Sequence, residues 1–340
     1  MKRLGVACAA AAACIGTVWG PTTLHATESG ASLYVPGLRG PLAGIVPPPG
    51  FYFQNDFYSY SGRISAATRT QIGGAVLSNV KVQARVDFLT PTWVTPLEIF
   101  GGNLGFAVSL PFGNPRVSAG ALIAAPRLGR AVGLKMRDSG FLLGDPVVTS
   151  FVGWHAGNFH WQLGGAVNIP SGTYDADRLS NLSFNRWIGD VYAAGTWLDP
   201  KIGLDISGAV GLELNGKNDD TDYKSGNAVH VDLAVSQYLS KDFSIGALFS
   251  HYQQISGDSG AGASLGPYKG RTTAVGGTIG YNFNIGALPI STRLKVLREV
   301  SVDNRPQGTI ALVTIAFPLS VVPPAAPPPE PVPGARVVKR

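Results

Sequence analysis

The stretch KIGLDISGAVGLEL, at positions 201–214, decides the fold class. Ile202, Leu204, Ile206, Gly208, Val210, Leu212 and Leu214 fall on one face if the chain is extended. Lys201, Gly203, Asp205, Ser207, Ala209, Gly211 and Glu213 fall on the other. Successive strand residues point to opposite faces, so the period of two reads as a strand with one apolar and one polar side. At 14 positions it exceeds the roughly 5–6 residues usual in globular proteins. Asp199-Pro200 precedes it and Asn215-Gly216 follows it, both turn signals. A row of such strands suits an all-β transmembrane antiparallel barrel, with lipid outside and water inside.

Composition agrees. Charged residues are 14% of the chain, against about 25% in soluble domains. Hydrophobic residues nevertheless reach 45% without any 18-residue apolar run beyond the N-terminus, which argues against membrane helices. The basic residues are scattered, so a nucleic-acid partner is not supported.

The termini read as separate segments. Lys2 and Arg3 precede an uncharged Ala-rich core and then small residues, which predicts a signal peptide over 1–26. Both cysteines, Cys8 and Cys14, fall within it, so the mature chain has no disulfide or thiol chemistry. Residues 27–50 are rich in Gly and Pro and read as a flexible lead-in, with a hatch inside the barrel as the alternative. The barrel then occupies 51–319, and 320–340 is a Pro-rich tail expected to lack fixed structure.

Strands are predicted at 51–60, 79–89, 103–112, 145–155, 159–169, 187–198, 201–214, 227–239, 242–255, 271–285, 290–300 and 308–318. The connections alternate between short ones, such as Ala156-Gly157 and Ser240-Lys241, and long ones at 171–186, 215–226 and 256–270. Outer-membrane barrels pair short periplasmic turns with long external loops. With both termini periplasmic the strand number is even. Twelve is the expectation, with 116–128 in a long external loop or folded inward; fourteen is the alternative. Residues 129–140 read as a basic loop, and Trp154, Trp161, Trp187 and Trp197 sit near strand ends, as interfacial aromatics do.

No catalytic, metal or cofactor-binding set emerges. Gly257-Asp258-Ser259-Gly260 has a protease-like look with His251 nearby, but no other triad segment accompanies it. Asn218-Asp219-Asp220-Thr221-Asp222 lacks the spacing of a calcium loop. His25, His155, His160, His230 and His251 form no ligand pair. The polar faces supply the candidate lumen-lining residues: Lys81, Arg85, Asp87, Asp205, Glu213, His230, Asp232, Arg293 and Lys295. Such charges either set pore selectivity or pair with one another across a filled lumen.

Several local patterns resemble an outer-membrane transporter family associated with the phenol meta-degradation pathway. They are PPPGFYFQND at 47–56 with Tyr60-Ser61-Gly62, Gly144-Asp145-Pro146, and PSGTY at 170–174 with Asn181 and Asn185. Asn215, Asn218, Thr221, Asp222, Tyr223, Ser225 and Gly226 follow, then Gln254, Gly257 and Asp258. The likeness spans about 28–319 and implies a β-barrel that passes aromatic or other small apolar compounds. The terminal aromatic usual in such barrels would here be the internal Phe317.

Together these readings predict a passive outer-membrane channel for small molecules that uses neither cofactor nor ATP. Its partners would be outer-membrane lipid and lipopolysaccharide. The alternatives are a barrel enzyme acting on lipid or lipopolysaccharide, and a closed structural or receptor barrel.

Overall fold

The computed structural model describes residues 31–64, 69–72, 75–125, 130–263 and 266–321. The expected signal peptide and all but the first two residues of the tail lie outside these.

Twelve antiparallel strands close into a ring. They are β1 (Gly50–Arg63), β2 (Ala75–Ile99), β3 (Gly102–Gly113), β4 (Val147–Ala156), β5 (Phe159–Asn168) and β6 (Ile188–Asp199). The second half comprises β7 (Leu204–Asn215), β8 (Ala228–Tyr238), β9 (Phe243–Gln254), β10 (Arg271–Ile285), β11 (Leu288–Asp303) and β12 (Gln307–Val321). β1 closes the ring against β12, from Gly50↔Val321 to Arg63↔Gln307. Closure pairs each of the twelve ring strands on both sides, which a lipid environment demands.

Burial is inside out relative to a soluble domain. On β7, Ile206, Val210 and Leu214 are 46%, 52% and 44% exposed, whereas Asp205 and Glu213 are 0% and 1% exposed. The same outward apolar face recurs as Leu163 and Val167 on β5, Leu233 and Val235 on β8, and Leu294 and Val296 on β11. The expected polar lumen and apolar outer face therefore hold for this part of the wall.

The short connections share one end with Gly50 and Val321. Two of them turn at Gly157 (φ 58°) and Gly286 (φ 60°), where a side chain would strain the left-handed backbone. The stretch 201–203 belongs to such a turn rather than to the strand, with Gly203 at φ 68°. Aromatics gather near this end: Phe51 stacks on Trp93, and Trp154 on Trp161. By the rule for outer-membrane barrels this end is periplasmic.

At the other end β2 outruns its neighbour. Its lower half pairs β3, and its upper part pairs a hairpin, Arg116–Ala125 with Arg130–Ser139, that extends the wall outward from the ring. Residues 130–139 are thus a strand and not the expected basic loop. The hairpin carries its own ladder, so the charge density there is no obstacle to strand formation.

Candidate functional site

Residues 31–49 run inside the ring. They start beside Glu213, at the upper end of β7, and descend to Gly50, where β1 begins. The inward charges hold them. Glu213 Oε2 accepts Ser32 Oγ at 2.6 Å and the Tyr34 N–H at 3.2 Å. Asp232 Oδ1 accepts Tyr34 Oη at 2.8 Å, the Gly37 N–H at 3.1 Å and Ser250 Oγ. Lys295 Nζ donates to the carbonyls of Gly37 and Leu38, each at 2.9 Å.

Lower down, the Leu42 N–H reaches Asp205 Oδ2 at 3.1 Å and the Gly44 N–H reaches Thr196 Oγ1 at 2.9 Å. Gly44 admits no side chain, because a Cβ would lie 2.6 Å from Thr196 N and from the His160 carbonyl. Arg39 lies 3.3 Å from the centroid of the Tyr192 ring, and Tyr34 stacks on His230 at 4.3 Å.

The physical logic is one of satisfaction. A buried carboxylate or ammonium is costly without hydrogen bonds, and an irregular segment has free N–H and C=O groups to offer. Asp205, Glu213, Asp232 and Lys295 therefore act together on residues 31–49. His230 pairs with Asp190 at 2.6 Å, and Arg293 lies on the same inner face beside Gly280. Sequence reading found these charges but missed Tyr34, which bonds two of them, and Thr196 and Tyr192, which hold Gly44 and Arg39 of the same segment. The available signal was the excess of inward carboxylates, which water alone satisfies poorly in a narrow lumen.

This geometry carries a prediction. Asp232→Ala removes the acceptor shared by Tyr34 and Gly37, at a cost of about 2–3 kcal/mol to docking of the segment. The segment then opens on the order of a hundredfold more often. Limited proteolysis should cut within 31–49 while the ring stays intact. Unchanged cleavage rates would show that Asp232 does not hold the segment.

Lys81, Arg85 and Asp87 require a correction. The structure turns their face outward. Val80 and Val86 are buried, and Val82, Ala84, Val86 and Phe88 line an internal cavity. Asp87 is the register partner of the exposed Phe57, and its Oδ1 accepts from Asn55 on that outer face. A period of two separates two faces without saying which one meets lipid. Arg85→Ala combined with Asp87→Ala is therefore expected to leave the flux of charged and neutral probes unchanged in liposomes. A shift in charge selectivity would restore these residues to the lumen.

The cavity, about 260 Å³, lies between residues 31–36 and the inner faces of β1 and β2. Its walls include Tyr58, Tyr60, Val86, Phe88 and Ile310, with Pro111 and Pro115 to one side. Leu179 and Phe184 of the 169–187 loop cover it, and Glu299, Arg186 and Arg305 supply polar edges. Glu299 is engaged by Tyr60 Oη at 2.9 Å and by the Gly308 N–H at 2.6 Å. Arg305 lies over the Tyr252 ring at 4.4 Å.

The cover is folded by the motif residues noted in the sequence. Asp145 is buried and accepts N–H groups of Ser171, Gly172 and Phe184 at 2.8–3.2 Å, together with Asn168 Nδ2 at 2.9 Å. Gly172 packs against Gly144, where a Cβ would lie 2.5 Å from backbone carbon. Asn185 joins this loop to the next through Asn218 and Asp220, both at 2.9 Å.

Lys217 neutralises the acidic loop by pairing with Asp222 at 2.7 Å. In 257–260 it is Asp258 that matters. It is buried and accepts Tyr223 Oη, the Gly226 N–H and Gln254 Nε2, so it staples two loops. Burial pushes its carboxyl above the ordinary range. His251 bonds Thr273 Oγ1 instead, so no triad forms with Ser259.

A closed ring of twelve strands, apolar outside and polar within, defines an outer-membrane β-barrel. The family described as "Putative MetA-pathway of phenol degradation" matches residues 65–314, and the chain belongs to that family. Comparison with curated protein sequences gives no match. Among solved structures, the chain is similar to the COG4313 outer membrane channel from Pseudomonas putida F1. Identity is 18% and the TM-score 0.63, covering 84% of this chain and 99% of that one. A Pseudomonas aeruginosa FadL homologue aligns at 10% identity and TM-score 0.40, covering 88% and 99%. A TodX mutant, a monoaromatic hydrocarbon channel, aligns at 10% identity and TM-score 0.36, covering 82% and 92%.

Proposed function

We propose that this protein is a passive outer-membrane channel for small apolar and aromatic compounds. The cavity beside Tyr58, Val86 and Phe88 is its solute station, and residues 31–49 are the hatch that narrows the lumen. The observation that carries this reading is an apolar, aromatic-edged cavity inside a wall that is otherwise lined with charge. A lumen meant only for water or ions has no use for such a surface. At about 260 Å³ the cavity lies below the roughly 300–1,000 Å³ of drug-sized ligand sites, which suits a single ring with small substituents.

Apolar solute gains by leaving water, so entry needs no energy source. The station must also release it, and the polar edge at Glu299 and Arg305 keeps the fit from being wholly apolar. Family membership and the likeness to the COG4313 outer membrane channel favour the same reading. Lipopolysaccharide and phospholipid would surround the barrel. The chain performs no catalysis in this account; His251 bonds Thr273 Oγ1 and not Ser259.

The grip on residues 31–49 favours a second reading, a closed structural barrel. Solute flux into liposomes separates the two. The chain from residue 27 should speed entry of phenol-like compounds above the rate of empty liposomes and leave sugars of similar size nearly excluded. A folded barrel with no protein-dependent aromatic flux would overturn the channel reading.

A further inference from the structure

The outward face that was expected to line the lumen needs its own account. Arg63, Lys81, Arg116, Arg137 and Arg298 border one external concavity of about 770 Å³, and among the described residues no carboxylate borders it. The register fixes their arrangement. Arg298, Thr309, Ser61, Gln83 and Arg116 are successive partners along one row. Gln307, Arg63, Lys81, Ser118 and Arg137 form the next row. At about 4.8 Å between strands each row spans roughly 19 Å.

Arg63 and Lys81 are direct cross-strand partners. Like charges so placed destabilise a sheet unless something lies between them. The nearby acids are committed elsewhere. Asp87 accepts from Asn55, Asp138 pairs with Arg178 at 3.2 Å, and Asp303 pairs with Arg271 at 2.5 Å.

Height identifies the anion that this patch suits. Leu294, Val313 and Phe57 are exposed and form an apolar row across β11, β12 and β1, with Asp87 next in the row on β2. The first basic row lies four residues further from the short-turn end, roughly 13 Å along the strand. The patch therefore lies beyond the exposed apolar row, toward the external end of the barrel. We propose that it binds the phosphorylated headgroup of the glycolipid of the outer leaflet, lipopolysaccharide. Guanidinium groups suit phosphate oxygens by bidentate pairing. This site rests on the outer-membrane reading and is independent of what the lumen carries.

The test uses the folded chain in detergent, titrated with bisphosphorylated lipid A, its dephosphorylated form, and phosphatidylglycerol. Bound lipid is read by native mass spectrometry. Lipid A should bind about tenfold more tightly than the dephosphorylated form, the equivalent of one charge-assisted contact. The triple variant Arg63→Gln, Lys81→Gln, Arg116→Gln should lose that preference, and Lys81→Gln alone should lose part of it. Arg271→Gln, whose cation is paired with Asp303, should keep it. Equal binding by wild type and triple variant overturns the site. Phosphatidylglycerol binding as well as lipid A overturns the glycolipid assignment. A chain that stays soluble without detergent overturns this site together with the membrane reading.

Discussion

A refolded chain that starts at Pro47 passes sugars and ions at least about tenfold faster than one that starts at Thr27. Twelve strands spaced at about 4.8 Å and tilted about 40° make a ring roughly 75 Å around, or about 24 Å across at the backbone. Inward side chains take several ångströms from each wall. What remains is wide enough for one irregular segment or for a continuous column of water. Residues 31–49 now occupy it, tied at Glu213, Asp232, Lys295, Asp205 and Thr196.

Their removal spares the ring, because β1 starts at Gly50 and every ladder pair lies at or beyond it. The freed charges would be hydrated in the open lumen instead of buried, so the barrel need not lose its fold. Planar-bilayer conductance and liposome swelling both read the result. A folded barrel whose conductance does not rise would show that the segment is a wall element beside a separate path. Asp232→Ala, which only loosens the segment, should fall between the two chains.

The fold was legible because lipid reverses the usual rule of burial. On β7 the sequence alternates Asp205, Ile206, Ser207 and so on to Glu213 and Leu214, and the structure places them inside and outside in turn. Parity of short and long connections gave an even count, with twelve preferred to fourteen; residues 116–125, expected in a loop or folded inward, form a strand that lies off the ring. Their partner strand was not legible. Its pairing with Arg116–Ala125 is non-local information that a basic, Gly-containing stretch does not advertise.

The site was legible only in part. Asp205, Glu213, Asp232 and Lys295 announced themselves as charges on alternating faces. Their partners are backbone groups of a Gly/Pro-rich stretch, and backbone groups leave no mark in a sequence. The inversion on β2 has a different cause. Above the membrane rim the outer face meets headgroups and water, so a charged stripe there points outward. The apolar stripe behind it lines a cavity and points inward. Val82, Ala84 and Val86 thus carry the pattern of lipid-facing residues while facing the lumen.

That inversion yields the second large effect. Ala84→Trp should cut protein-dependent flux of phenol-like compounds about tenfold, with sugar flux still low. Ala84 borders the cavity and is the register partner of Tyr60. An indole is among the largest apolar side chains and would take up much of a space of about 260 Å³. Overpacking a filled core costs about 1–3 kcal/mol, and the open cavity reduces that penalty, so the barrel should melt near the wild-type temperature.

Arg85→Trp is the matched control. It lies one residue away on the opposite face, where an added indole meets the lipid boundary, and it should leave flux unchanged. If both variants slow the flux equally, the effect comes from the strand as a whole and the cavity loses its role. If Arg85→Trp alone slows it, the two faces of β2 are the reverse of those described here. If Ala84→Trp alone does so, an apolar solute crosses this barrel through the space between the wall and residues 31–36.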